Sequence, residues 1–464
     1  MSENPVKTDA GDGNGGSFYQ KHNKIYPRKT KGLFTNLRKF SVWGLLGLYY
    51  VLPWLRWDGQ QLVLFDLPAR KFHIFGMTFW PQDFFYLAVL LILAALLLFF
   101  VTALAGRVWC GYACPQTVWS EVYIWIEQWV EGDRPQQIKL DKGPWDRAKI
   151  GKKALKQVLW IFFSLWTGFT FVGFFVPVET LWSDLASGVI GGWALFWILF
   201  YSAATYGNAG FLREQVCLYM CPYARFQSAM FDKDTLIISY DEARGEPRGS
   251  RKRGADKPAS VGDCVDCTLC VQVCPTGIDI RDGLQYQCIG CAACIDACDG
   301  VMDKMGYPRG LVRYTTEHAL KGGVTHVMRV RTFIYGGLLA AIALALLYSV
   351  LHRVPLEMDV IRDRNALYRD SGDGNIENIY TLKVINMDEQ EHHYAISVSG
   401  IEGMKLVGAE NVVVQSGRVA EVPVKAVANP DKMASHSQEV IFHIEATDSP
   451  ALVATQKARF LGPN

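Results

Sequence analysis

Cysteine is missing from most of this chain: of twelve, none precedes Cys110 and none follows Cys298. A disulfide-stapled secreted fold would be short and would spread its cysteines through its folded regions, so that class is excluded. Excess charge is lacking too. Lys and Arg number 47 against 45 Asp and Glu, a net charge of +2, which argues against nucleic acid as the main partner. There is no glycine fingerprint for a nucleotide and no hydrolase triad pattern. The first 39 residues are polar, Gly-rich and basic, with apolar sequence beginning only near Phe40, so the N-terminus does not read as a signal peptide.

What is present is a mixture. The 464 residues are 50% hydrophobic yet 20% charged, as expected when long apolar segments alternate with polar domains. Five stretches have the length and apolarity of membrane helices: Phe40 to Leu55, Phe84 to Leu104, Gln157 to Val176, Val189 to Ala209 and Phe333 to Leu351. The first is short and is interrupted by Pro53. Lys and Arg are plentiful in the N-terminal tail, in the loop after the second stretch and in the 210–332 segment, and absent from 177–188. That alternation places the N-terminus and the 210–332 segment in the cytoplasm and the C-terminal tail outside.

The boundaries follow. Residues 1–32 read as a disordered cytoplasmic tail, and 33–232 as four spans with their loops. Residues 233–257 read as a basic linker, 258–310 as a metal-binding insert, 311–332 as a second linker and 333–351 as the fifth span. From 352 to 464 short alternating runs appear, among them Tyr380–Leu382–Val384, Tyr394–Ile396–Val398 and Val440–Phe442–Ile444, separated by turn signals. This pattern predicts an all-β sandwich.

The strongest signal is an internal repeat. Cys264-x2-Cys267-x2-Cys270-x3-Cys274-Pro275 is followed by Cys288-x2-Cys291-x2-Cys294-x3-Cys298. Three cysteines at two-residue gaps wrap three corners of an iron–sulfur cubane, and the fourth reaches the other cluster. The rule gives one [4Fe–4S] cluster to Cys264, Cys267, Cys270 and Cys298, and a second to Cys288, Cys291, Cys294 and Cys274. A pair of zinc sites does not explain three cysteines in each tight run. Two features depart from the ferredoxin pattern: Asp299 stands where proline follows Cys274, and the interval between the runs is compact.

A second repeat lies at two predicted span ends. Trp109-Cys110-Gly111-Tyr112-Ala113-Cys114-Pro115 and Cys217-Leu218-Tyr219-Met220-Cys221-Pro222 share the pattern C-x3-C-P. On a helix the two cysteines of each pair share a face, while proline discourages helix at Cys114 and Cys221. Buried thiols packing at helix ends are the plain reading. The functional one is a third site: soft sulfur ligands for Cu(I), a further iron–sulfur centre, or a dithiol couple. Arg107, Arg213 and Arg225 stand near enough in sequence to favour thiolates. Among lesser candidates, His73 and Met77 read as an ordinary loop pair and His392–His393 as solvated surface. Glu121 and Glu127 lie in a Trp-rich stretch read as an amphipathic surface helix.

With spans, ferredoxin repeat, paired C-x3-C-P motifs and C-terminal sandwich in this order, the chain resembles the cytochrome c oxidase accessory protein family (CcoG/FixG/RdxA). WCGYACPQTVW at 109–119, CLYMCPYARFQ at 217–227 and the eight repeat cysteines carry the resemblance. It implies a multi-domain protein of the bacterial inner membrane: a helical bundle of about five spans, an inserted two-[4Fe–4S] ferredoxin-like domain and an immunoglobulin-like periplasmic sandwich. It further implies reduction of Cu(II) to Cu(I) for assembly of a cbb3-type oxidase. Copper would be held near Cys110, Cys114, Cys217 and Cys221, with oxidase-assembly and copper-delivery proteins and an unidentified electron donor as partners. An electron conduit from quinol to another acceptor, and a non-catalytic assembly scaffold with sensing clusters, are the alternatives.

Overall fold

The computed structural model describes residues 24–463 except 58, 254–257, 259, 365, 372, 389 and 409–410. The chain divides into two compact units. One takes the residues up to Gly47 together with Val101–Thr167 and Phe200–Val327; the other takes Leu48–Phe100, Gly168–Leu199 and the residues from Met328 onward.

Three helices among the described residues are long and apolar enough to cross a membrane: Pro81–Ala105, Arg147–Val172 and Val330–Leu351. None of the most apolar window of Val330–Leu351 is buried within the protein. A surface that apolar calls for lipid as its solvent. The stretch expected as a fourth span, Val189–Ala209, lies almost wholly in the longer piece of a bent pair: Val178–Ser187 and Gly192–Leu212 meet at 99°. Gly188 ends the first piece with φ +74°, a left-handed conformation that costs glycine little. The first expected stretch falls in Leu33–Val51, which a single turn at Leu52–Trp54 closes around Pro53. Arg147–Val172 begins well before its apolar stretch, where the Asp146 carboxylate caps it by accepting Lys149 N–H at 2.7 Å.

Parts of the linkers expected at 233–257 and 311–332 are built into the fold. Ile237–Tyr240 pairs antiparallel with Val312–Thr315, with Ile238 opposite Tyr314. Their inward residues Ile238, Tyr240 and Val312 join Ile280, Ile295 and Met302 in one core. The basic run is tied down as well: Arg244 Nε meets Asp263 at 2.5 Å and Arg251 Nε donates to Tyr307 Oη at 2.9 Å. A sequence scan reads such arginines as exposed because their partners lie far along the chain. Of the tail expected to be disordered over 1–32, residues 1–23 lie outside the described residues. Residues 24–32 are held: Arg28 N–H donates to Gln272 O at 2.9 Å and Tyr26 Oη to Asp141 at 2.8 Å.

The C-terminal region is a two-sheet sandwich. One sheet runs Lys405–Val407, Val419–Ala428, Ile376–Asn386, Leu356–Arg362, with Arg369–Asp370 also on Ile376–Asn386; the other runs Asn411–Val414, His392–Ser399, Ser437–Ala446, Val453–Leu461. All pairs are antiparallel. The alternating runs supply its core: Tyr380, Leu382, Val384, Tyr394, Val440, Phe442 and Ile444 are fully buried. The rings of Tyr380 and Phe442 meet edge to face at 5.0 Å.

Candidate iron–sulfur site

The two cysteine runs fold alike. In each, the residue before the middle cysteine and the residue after it are left-handed: Asp266 and Thr268 in one, Gly290 and Ala292 in the other, with φ between +52° and +69°. Three of these are not glycine, so the loops hold a conformation that L-residues rarely adopt. Alternating hands turn successive backbone N–H groups into a concavity suited to an anion. Thr268 and Ala292 then open the helices Leu269–Gln272, which carries Cys270 with Cys274 just beyond its end, and Ala293–Met305, which carries Cys294 and Cys298.

Proline and Asp299 explain why these helices differ. Pro275 disfavours helix at Cys274, and the first helix stops at Gln272. With Asp299 in the matching place the second helix continues to Met305, and the Asp299 carboxylate accepts Gly310 N–H at 2.9 Å.

Each expected ligand set lines its own cavity. Cys264, Cys267, Cys270 and Cys298 line one together. Cys274, Cys288, Cys291 and Cys294 line another, and Cys270 touches both. The fourth cysteine of each run therefore does cross to the other cavity. Burial pushes the Cys298 thiol up to about 12, and neighbouring Cys270, Cys267 and Cys264 push the same way. Burial likewise takes Cys288 to about 12, opposed by the Gly290 N–H and reinforced by Cys291 and Cys274. Four crowded thiolates need a compensating cation, which an iron–sulfur core supplies. Among the described residues no three His, Cys, Asp or Glu side chains stand close enough to share one ion. A cubane asks for wider spacing, since each thiolate holds a different iron. The residues fit the cluster.

The C-x3-C-P motifs also fold as a matched pair. Cys114 N–H reaches back to Trp109 O at 2.9 Å and Cys221 N–H to Val216 O at 2.8 Å, five residues in both cases. Both second cysteines are extended, with ψ of 127° and 110°, and proline starts the helices Pro115–Val130 and Pro222–Ala229. The proline effect read from the sequence accounts for this. The structure also brings the two motifs together. Burial raises Cys110 to about 12, with Cys114, Cys217 and Cys221 all adding to the effect and Arg107 opposing it. Cys217 is raised to about 11 by burial, then by Cys114 and Cys221, against Arg107. All twelve cysteines are free of disulfides.

Of the three arginines expected beside these thiols, Arg107 is there. Its guanidinium donates to the carbonyls of Ala224 at 2.6 Å, Cys288 at 3.3 Å and Tyr286, joining both motifs to the second cysteine run. Arg213 instead binds Glu127 at 2.8 Å; the side chain of Arg225 lies outside the described residues. Glu127 is not a surface carboxylate, because Lys24 and Lys156 meet it as well at 2.8 and 3.3 Å. His73 pairs with Thr78 at 3.0 Å in a small hairpin with Met77. His392 is buried rather than solvated, held at 2.9 Å by both Asp388 and Asp448.

Three features escaped the sequence. Buried Gln227 accepts a hydrogen bond from Cys110 Sγ at 3.5 Å and donates to Gly106 O at 3.1 Å. Asp296, between Cys294 and Cys298, caps the distant Leu33–Val51 helix by accepting Thr35 N–H at 2.6 Å. Gly111 lies against Cys291, so the Cys110–Cys114 turn packs directly on the second cysteine run. The only local hint was glycine inside a helix-forming motif.

Known proteins share these parts. Residues 212–317 match a 4Fe-4S dicluster domain, 87–133 a 4Fe-4S binding domain, and 346–463 the IG-like fold at the C-terminus of FixG. The nitrogen fixation protein FixG of Rhizobium meliloti (strain 1021) is 40% identical over 83% of this chain and 81% of its own length. Protein RdxB of Cereibacter sphaeroides is 44% identical over 82% and 83%. The crystal structure of a FixG-related protein from Vibrio parahaemolyticus, 34% identical, covers 24% of this chain and 98% of its own, with a TM-score of 0.22. With relatives this similar over most of both chains, the chain belongs to the FixG/RdxA/RdxB family of iron–sulfur proteins.

Proposed function

We propose that this protein is a membrane electron-transfer protein that reduces Cu(II) to Cu(I) for assembly of a cbb3-type oxidase. Cys264, Cys267, Cys270 and Cys298 hold one [4Fe–4S] cluster, and Cys288, Cys291, Cys294 and Cys274 hold the other. When bound, the clusters supply one-electron storage at a potential set by burial and by N–H groups directed at the sulfurs. The chain spans the bacterial inner membrane about five times, with the ferredoxin insert cytoplasmic and the sandwich periplasmic, where it meets oxidase-assembly and copper-delivery proteins.

The observation that carries this reading is the contact of Gly111 with Cys291. It supports a path from the second cluster's ligands to the Cys110–Cys114 turn and the C-x3-C-P cysteines, which are the exit for electrons. Copper is the substrate there: Cu(II) takes one electron and leaves as Cu(I), the form that soft thiolates hold. Arg107 and Gln227 fix the two motifs against each other without supplying a ligand.

Anaerobic purification, iron and acid-labile sulfide assay, and Cu(II) titration of the dithionite-reduced protein test this. The expected result is loss of the reduced-cluster EPR signal as a chelator traps one Cu(I) per electron. Equal copper binding and reduction after Cys110, Cys114, Cys217 and Cys221 are changed to Ser overturns the placement.

The match of 87–133 to a 4Fe-4S binding domain, a span that contains Cys110 and Cys114, favours a second reading in which the four cysteines hold a further iron–sulfur centre. Iron in excess of two cubanes, lost in the same four-Ser variant, distinguishes it.

A further inference from the structure

A cavity of 650 Å³ opens between the N-terminal segment, the Pro115–Val130 helix and the second cysteine run. That volume is within the range of cofactor sites. Its composition is specific. Arg28, Lys29, Lys31 and Lys39 line it, all exposed, which suits a phosphate. Trp43 and Trp125 line it too, stacked with centroids 6.0 Å apart and planes 28° from parallel, a platform for a flat aromatic ring. Cys291 and Ala293 belong to the same lining.

A buried donor without a partner is the second, independent observation. Arg38 lines the cavity and is 8% exposed. Its Nη2 is paired with Glu121, whose other oxygen accepts Trp125 Nε1 at 3.0 Å. Its Nε is buried and has no hydrogen-bond partner among the described residues. A buried N–H left unpaired is costly, and a bound acceptor atom relieves it.

We propose that this cavity binds a flavin mononucleotide, with the phosphate on the lysine- and arginine-rich side, the isoalloxazine against the tryptophans and a ring acceptor on Arg38 Nε. The proposal deepens the electron-transfer reading, on which its redox meaning rests, by naming the class of donor. Oxidation of the anionic flavin hydroquinone releases two electrons and one proton. The two electrons match two one-electron sites, the nearer one held by Cys291, and the proton leaves to water.

The test uses full-length protein in detergent, with iron and sulfide assayed in the same preparation. Oxidised flavin mononucleotide is titrated by quenching of flavin and tryptophan fluorescence. Saturable binding is expected, with riboflavin about tenfold or more weaker for want of the phosphate. Arg38→Lys, which keeps the charge facing Glu121 but lacks Nε, and the pair Lys31→Gln with Lys39→Gln should each weaken the nucleotide about tenfold while iron content stays at the parent level. Only the lysine pair should leave riboflavin unaffected. No binding to iron-replete protein overturns the proposal, as do unchanged affinity in both variants, displacement by anionic-lipid vesicles alone, or equal binding of a short-chain quinol in place of the flavin. Protein that binds the flavin yet contains no iron or sulfide overturns the electron-transfer reading instead, leaving the flavin site in place.

Discussion

Gly111 and Cys291 approach so closely that a Cβ on Gly111 would stand 2.9 Å from the backbone N and Cα of Cys291. Backbone atoms cannot swing aside as a flexible side chain can. Gly111→Ala is therefore expected to force the turn off the second cysteine run, costing about 1–3 kcal/mol. The larger Gly111→Val should cost more. Thermal unfolding reads the stability. The rate of cluster oxidation by Cu(II) reads the separation, and it should fall in Gly111→Ala even where iron content is normal. An unchanged rate would show that electrons do not leave by this contact.

The crossed ligand sets predict which iron each cysteine governs. Cys298→Ser should empty the cavity of Cys264, Cys267 and Cys270, although Cys298 follows the other run. Cys274→Ser should empty the cavity of Cys288, Cys291 and Cys294. Each variant should keep about half of the iron and lose the magnetic coupling between two reduced clusters in EPR. If Cys298→Ser and Cys294→Ser lose the same cluster, the crossing is wrong.

Glu127 predicts an acid-sensitive interior. Burial alone would raise its carboxyl, but Arg213, Lys24 and Lys156 outweigh it and hold Glu127 down at about 2, below its ordinary 4.5. A depressed carboxylate contributes stability that is complete above pH 4.5 and is lost as pH falls toward 2. The contribution is on the order of 3 kcal/mol. Glu127→Gln should remove this part of the acid dependence and leave three cations crowded, costing about 3–5 kcal/mol near neutral pH. Chemical unfolding of parent and variant between pH 3 and 7 checks both.

His392 predicts the opposite slope in the sandwich. Burial would lower its pKa, but hydrogen bonds and charge from Asp388 and Asp448 raise it above the ordinary 6.5. A raised imidazolium contributes stability that is complete below pH 6.5 and is lost as pH climbs through the raised value. Hydrogen exchange in the His392–Ser399 and Ser437–Ala446 strands of the full chain should quicken above neutrality, beyond the intrinsic base-catalysed rate, and His392→Gln should abolish that excess.

The boundary between sequence and structure runs along chain distance. The grouping of the eight repeat cysteines around two cavities and the buried face of the sandwich were legible because spacing within a few residues encodes them. A C-x2-C-x2-C loop can close on little else than a cluster, and a strand alternates its faces by covalent geometry. Proline after Cys114 and Cys221 likewise set the extended exit of each turn. Only the tertiary structure decided that the two C-x3-C-P turns lie together, that Gly111 packs on Cys291, that Asp296 caps Leu33–Val51, and that Ile237–Tyr240 pairs with Val312–Thr315. Each of these joins residues far apart in the chain, where the local pattern is the same whether or not a partner is there. Packing chooses the partner.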